Sequence, residues 1–174
     1  VAAAVLLAVV AAGDPAMSRT VLRFVSLFAT ALLAGPLFCH LLEMPNKMAL
    51  PAELWLPVQQ TLYNMFGPVS APVELIAILS TALLALLMRG RGGAAAWLTA
   101  AAALLLAGHL VEWFAVVAPM NRLINGWTAA TLPGDWPAAR DRWEWGHALG
   151  AAMVLPALAL LILAALVRRR AAPG

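Results

Sequence analysis

Charge is scarce in this chain: 11% of its 174 residues are Asp, Glu, Lys or Arg, while 64% are hydrophobic. An average soluble domain carries roughly 25% charged residues, so a water-soluble fold is excluded. Cysteine is nearly absent too, and the single Cys39 rules out an internal disulfide scaffold without indicating a redox compartment. No glycine-rich phosphate loop, nucleophile elbow or zinc-protease motif occurs, which removes nucleotide hydrolysis and serine-hydrolase chemistry. The alternating segments of a transmembrane β-barrel are also missing. What is present is long, continuous sequence rich in Ala and Leu, residues that favour helices.

A helix needs about 20 apolar residues to cross a bilayer, and four runs reach that length: Val21 to Leu42, Val69 to Met88, Ala94 to Ala118 and Gly146 to Val167. The expected fold is an all-α, integral membrane four-helix bundle, one domain from residue 17 to 174. Residues 1–16 hold an apolar stretch too short to span and no basic residue ahead of it, so they are read as a disordered leader or a mis-start before Met17. Arg19, Arg23, Arg89, Arg91, Arg168, Arg169 and Arg170 collect at one end of the spans, leaving Lys47, Arg122, Arg140 and Arg142 at the other. The positive-inside rule then puts both termini in the cytoplasm of a bacterial-type plasma membrane. The formal charge of +3 reflects that topology and calls for no nucleic acid. All the acids except Asp14 fall on the outward side, and so do all the tryptophans except Trp97.

Two long loops face outward. In the first, Trp55, Val58, Leu62, Met65 and Phe66 recur at helical spacing, which predicts an amphipathic segment that Pro57 divides. The second turns at Asn125-Gly126 and Pro133-Gly134. Asp135 is placed to cap a fourth helix that starts outside the bilayer with Pro137 in its first turn. Arg140, Trp143, Glu144, His147 and Ala151 then share one face.

All three histidines stand three residues from a glutamate: His40 and Glu43 in "HLLE", His109 and Glu112 in "HLVE", Glu144 and His147 in "EWGH". That separation brings two side chains within about 5 to 6 Å on one helix face. Glu74 adds an acid near the outer end of the second span. Sixty-nine positions separate His40 from His109 and Glu43 from Glu112, and 70 separate Glu74 from Glu144, the spacing of two matched hairpins. Inward Glu and Glu-x-x-His pairs hold metal in di-iron bundles. His40, Glu43, Glu74, His109, Glu112, Glu144 and His147 are therefore candidate ligands for a transition metal: iron, copper or zinc. A metal-free acid/base site and a structural hydrogen-bond network fit the same residues.

From Val21 onward the chain resembles a family of small four-helix membrane proteins that includes the fungal anthrone oxygenases and many bacterial members of unknown function. The resemblance lies in "APMNRLINGWTAATLPGDWPAARDRWEWGHALGAA", with Pro119, Asn121, Arg140, Arg142, Trp143 and His147 at the motif positions, and in "HLLEMPNKMAL" and "LYNMFGPV". Where family members often carry an arginine after the histidine, this chain has Gly150. The resemblance implies an oxidoreductase or oxygenase acting on a lipophilic aromatic or quinone-like small molecule taken from the membrane lipid. In that reading His147 or Glu144 serves as base, Asn121 and Arg142 hold oxygen, and a metal at His40 and His109 assists. The alternative is a non-catalytic metal-binding or structural subunit, a homo-oligomer or part of a membrane complex, with the small residues Ala100 to Ala103 facing a partner helix.

Overall fold

The computed structural model describes residues 14–167, except for the side chains of Pro15 and Arg91. These residues form helices and no strand: α1 (Pro15–Met48), α2 (Ala52–Leu62), α3 (Phe66–Met88), α4 (Ala94–Glu112), α5 (Ala118–Asn125) and α6 (Trp136–Leu166). A 3₁₀ turn, Arg89–Arg91, links α3 to α4, and a π-helical turn, Trp113–Val117, joins α4 to α5. Four segments are long and apolar enough to span a bilayer, so the chain is a multi-pass membrane protein. Each spanning helix packs on two neighbours in the cyclic order α1, α3, α4, α6, and α2 and α5 meet across one end. Arginines 19, 23 and 89 lie at the opposite, basic end. Residues 1–13 and Arg168 to Arg170 lie outside the described residues, as do the expectations placed on them.

Three helix limits differ from the sequence expectation. α1 begins at Pro15, where the Asp14 side chain accepts from the Ala16 N–H at 3.2 Å, and it continues to Met48. At 1.5 Å per residue it is about 50 Å long, well beyond the roughly 30 Å of hydrocarbon, so it is longer than one crossing requires. Polar residues in its last turns do not end it, because their partners come from the other helices. The third span runs past Ala118 to Asn125. Pro119 has no N–H to give Ala115, and the ladder shifts so that the Ala118 N–H bonds Trp113 O, the i→i−5 pattern of a π-bulge. Pro57 does not divide α2, which is a single helix burying Trp55, Leu56 and Gln59. α6 starts at Trp136 as expected, with Asp135 at the cap position but making no side-chain cap bond.

The core follows from small residues. Ala29, Ala34, Ala77, Ala102, Ala151 and Ala157 let the backbones approach, and Leu33, Leu37, Leu106, Val154 and Leu161 fill the space between them. Ala102 is therefore in the bundle's own interior, so Ala100 to Ala103 does not form a continuous exposed patch. The large exposed side chains, among them Phe24, Phe28, Leu104 and Leu166, lie along the spanning helices where lipid covers them. A second cluster, Trp55, Leu56, Ile124 and Trp143, roofs the site end. Gln60 fastens that roof, donating from Nε2 to Ile124 O and Trp127 O, both at 2.9 Å.

Candidate functional site

Beneath the roof lies a cavity of about 610 Å³. All three histidines line it, with Glu74, Glu112 and Asn121, between walls of Leu, Phe, Tyr and Trp. Two polar groups serve it from opposite sides.

The first group is on α3 and α4. His109 Nδ1 and Glu74 Oε1 are 2.7 Å apart, both side chains buried. A carboxylate only accepts, so Nδ1 carries the proton and donates it. That leaves Nε2, which has no partner among the described residues, as a basic nitrogen. α6 makes room for it with glycine: a Cβ on Gly150 would sit 2.9 Å from both Cδ2 and Nε2 of His109. One turn earlier, a Cβ on Gly146 would meet Val117 at 3.0 Å, Val116 at 3.1 Å and Glu112 at 3.3 Å. The Gly-x-x-x-Gly of α6 is thus the notch into which α4 and the π turn settle. Glu112 is buried beside the cavity with neither carboxyl oxygen hydrogen-bonded among the described residues.

The second group gathers around Lys47, whose side chain is 5% exposed. Its Nζ stands 3.0 Å from Glu144, 4.0 Å from Glu43 and 3.3 Å from His40 Nδ1, and lies 4.6 and 4.7 Å from the ring centroids of Tyr63 and Trp143. The approach to Glu144 is ionic, because neither Glu144 oxygen meets hydrogen-bond geometry with a described residue. Glu43 accepts from the Cys39 thiol at 3.2 Å and from the Tyr63 hydroxyl. Burial, reinforced by the bond to Glu43, raises the Tyr63 pKa above its ordinary value, so this phenol stays a donor at neutral pH. His147 donates from Nδ1 to Trp143 O at 2.9 Å, and its ring centroid lies 4.2 Å from that of His40.

The residues expected from sequence therefore divide. His40, Glu74, His109, Glu112, His147 and Asn121 come together on one cavity. Glu43 and Glu144 turn to Lys47 instead, and Arg142 is exposed and lines no part of it. Asn121 spends its carbonyl oxygen on Trp143 Nε1 at 2.6 Å. Arg140 bonds Met48 O and Asp141, tying α6 to the end of α1. Glu74 reaches from α3 to His109 on α4, whereas Glu144 reaches from α6 to Lys47 on α1.

The donor set does not fit a shared metal ion. No three His, Cys, Asp or Glu among the described residues are grouped closely enough to bind one. A metal on His40 Nε2 would also require a proton on Nδ1, which would then face the Lys47 ammonium, donor against donor. Lys47, Tyr63, Gly146 and Gly150 are the contributors that sequence reasoning missed. The Gly-x-x-x-Gly spacing alone was a readable signal of close helix contact.

Comparison of the chain with protein-family models, curated proteins and solved structures finds no match. What fold and site define by themselves is a class: a four-helix, multi-pass membrane protein with a polar-anchored apolar cavity at one end of the bundle.

Proposed function

We propose that this protein is a membrane oxidoreductase of the anthrone-oxygenase type, acting on a lipophilic aromatic or quinone-like substrate by acid/base chemistry. The observation that carries this reading is the buried His109–Glu74 pair on the wall of a largely apolar cavity. A carboxylate that fixes one imidazole nitrogen as a donor raises the basicity of the other and aims it, as a general base requires. An anthrone-type substrate has a C–H proton acidified by its flanking rings and carbonyl. His109 Nε2 takes that proton, the carbanion adds O₂ through a new C–O bond and regains the proton as a hydroperoxide, and loss of the second C–H proton with cleavage of the O–O bond gives the ketone and water, one oxygen atom in each.

Several features support entry from lipid. The cavity-lining residues Ala71, Leu75 and Phe114 are also exposed on the protein surface, so the cavity meets that surface between α3 and the π turn. The tryptophans of the site end suit the headgroup level. With the arginines of the other end in the cytoplasm, this mouth faces the outer leaflet of a plasma membrane. The base is thereby assigned to His109, with His147 on the same cavity, in place of Glu144. Glu144 acts through Lys47.

The test is oxygen-dependent conversion of anthrone to anthraquinone by the protein in lipid nanodiscs. Wild-type protein should accelerate it, and His109→Gln should lower the rate by about 10² to 10⁴, the usual worth of a positioned base. No acceleration by the wild type would refute the reading.

A further inference from the structure

The neighbours of the histidines set their tautomers, and those tautomers divide the cavity into donor and acceptor sides. His147 Nδ1 faces the Trp143 carbonyl and His109 Nδ1 faces the Glu74 carboxylate, groups that only accept. Both rings therefore carry a proton on Nδ1 and, as neutral imidazoles, offer a lone pair at Nε2. His40 is the reverse case. Its Nδ1 stands 3.3 Å from Lys47 Nζ, an ammonium with three donors and no acceptor, so Nδ1 must accept and the ring proton sits on Nε2. Lys47 has no freedom to turn away. Glu144 holds it at 3.0 Å, Glu43 stands at 4.0 Å, and the Tyr63 and Trp143 rings flank it.

A second unused donor lines the same cavity. Gln59 lines the cavity, is more than nine-tenths buried, and its Nε2 has no hydrogen-bond partner among the described residues. It precedes Tyr63 by one helical turn, and the Tyr63 ring lies 4.9 Å from that of His40, centroid to centroid. A buried amide N–H left without a partner is costly, and such groups normally have one. A ligand oxygen would supply it.

We propose that His40 Nε2–H and the Gln59 side-chain amide form a subsite for a hydrogen-bond-accepting oxygen, a ketone carbonyl or the oxyanion derived from it, with Lys47 as the positioning residue that fixes the His40 tautomer. This rests on the cavity being a ligand site, as the proposed function holds, and it specifies which end of the ligand points to α1 and α2. The carbonyl lies toward His40 and Gln59, and the acidic C–H lies toward His109. As negative charge develops on that oxygen, the two preorganised donors strengthen their hold.

Two measurements on the full chain in nanodiscs test this. The first needs no variant or ligand: ¹⁵N spectra of histidine-labelled protein, assigned by omitting one histidine at a time, should show His40 protonated on Nε2 and both His109 and His147 on Nδ1. His40 protonated on Nδ1, or doubly protonated, overturns the proposal. The second compares 9-fluorenone with its hydrocarbon analogue fluorene. Fluorenone should bind about tenfold tighter, the worth of roughly one neutral hydrogen bond, and its carbonyl stretch should move to lower frequency on binding. Both effects should shrink in Gln59→Leu and in Lys47→Met. Because Lys47→Met leaves buried carboxylates behind, Lys47→Met/Glu144→Gln serves as the second variant, and there the His40 proton should redistribute toward Nδ1. Equal binding of the two probes with an unmoved carbonyl band overturns the subsite alone. Failure of both probes to bind overturns the cavity reading and the subsite with it.

Discussion

Substituting Gly150 by alanine tests how tightly the His109–Glu74 pair is seated. The new Cβ would lie 2.9 Å from His109 Cδ2 and Nε2 and 3.3 Å from Leu37 Cδ2. Ordinary carbon contacts fall near 3.5 to 4.0 Å, so the ring must retreat by roughly 0.6 Å or more. Retreat is resisted, because Nδ1 is already 2.7 Å from Glu74. Overpacking of this kind costs about 1 to 3 kcal/mol, and if the ring is instead turned out of line with Glu74, losing the hydrogen bond to a charged group costs about 1.5 to 3 kcal/mol more. Against this, alanine for glycine within a helix gains about 1 kcal/mol. With the bond lost, the expected net is a loss of about 1.5 to 5 kcal/mol. The assay is thermal unfolding in detergent alongside the His109 ¹⁵N shift. Two control glycines sharpen it. Gly35 has nothing within 4 Å of an added Cβ, and Gly108 meets only the flexible Met153 Sδ at 3.4 Å. Alanine at either should be neutral or stabilising. If Gly150→Ala behaves like the controls and leaves His109 unmoved, the seating described here is wrong.

Other perturbations separate the two polar groups. Lys47→Met alone should destabilise by about 3 to 5 kcal/mol, the cost of leaving a buried partner charge uncompensated, and Glu144→Gln added to it should restore much of the loss; additive effects in that double-mutant cycle would mean the two side chains do not interact. Glu112→Gln should leave thermal stability within about 1 kcal/mol of the wild type, since no group among the described residues hydrogen-bonds that carboxyl, yet weaken probe binding; a severe loss of stability would reveal a structural partner. Tyr63 is the only tyrosine, and its pKa is raised in the folded state. Below the ordinary phenol value of about 10 both states keep the proton and stability is unaffected, and above it stability falls with rising pH. Phenolate absorbance should therefore appear only together with loss of helical circular dichroism, and titration near pH 10 with the helices intact would contradict the burial. Elemental analysis of purified protein should find transition metal well below one equivalent per chain, whereas one equivalent lost on His109→Ala would reverse the conclusion about the donor set.

The bundle was legible because bilayer length and apolar continuity leave few alternatives, and Val69 to Met88 and the start at Trp136 needed little correction. The end of α1 was not. A rule that closes a span at the first charges reads Glu43 to Lys47 as loop, whereas Lys47 is buried because α6 brings Glu144 across to it. That error hid the residue that governs His40. The His and Glu pairs were rightly drawn to one end of the bundle, but three-residue spacing does not tell a pair from two residues with separate partners. Glu43 points to Tyr63, Lys47 and Cys39, and His109 finds its acid on another helix in Glu74, not in Glu112. The cavity was invisible for a different reason: its wall is assembled from every helix, and no local pattern encodes a void.

The central claim, that His109 backed by Glu74 is a base facing a lipophilic ligand, can be isolated from redox chemistry by excluding oxygen. Under argon in deuterated buffer, nanodisc-embedded protein should exchange the acidic C–H of anthrone for deuterium faster than protein-free nanodiscs do. His109→Gln should cut that catalysed exchange by about 10² or more, and Glu74→Gln should lower it while leaving anthrone bound. Exchange no faster with wild-type protein than without it, or equally fast with His109→Gln, would contradict the account.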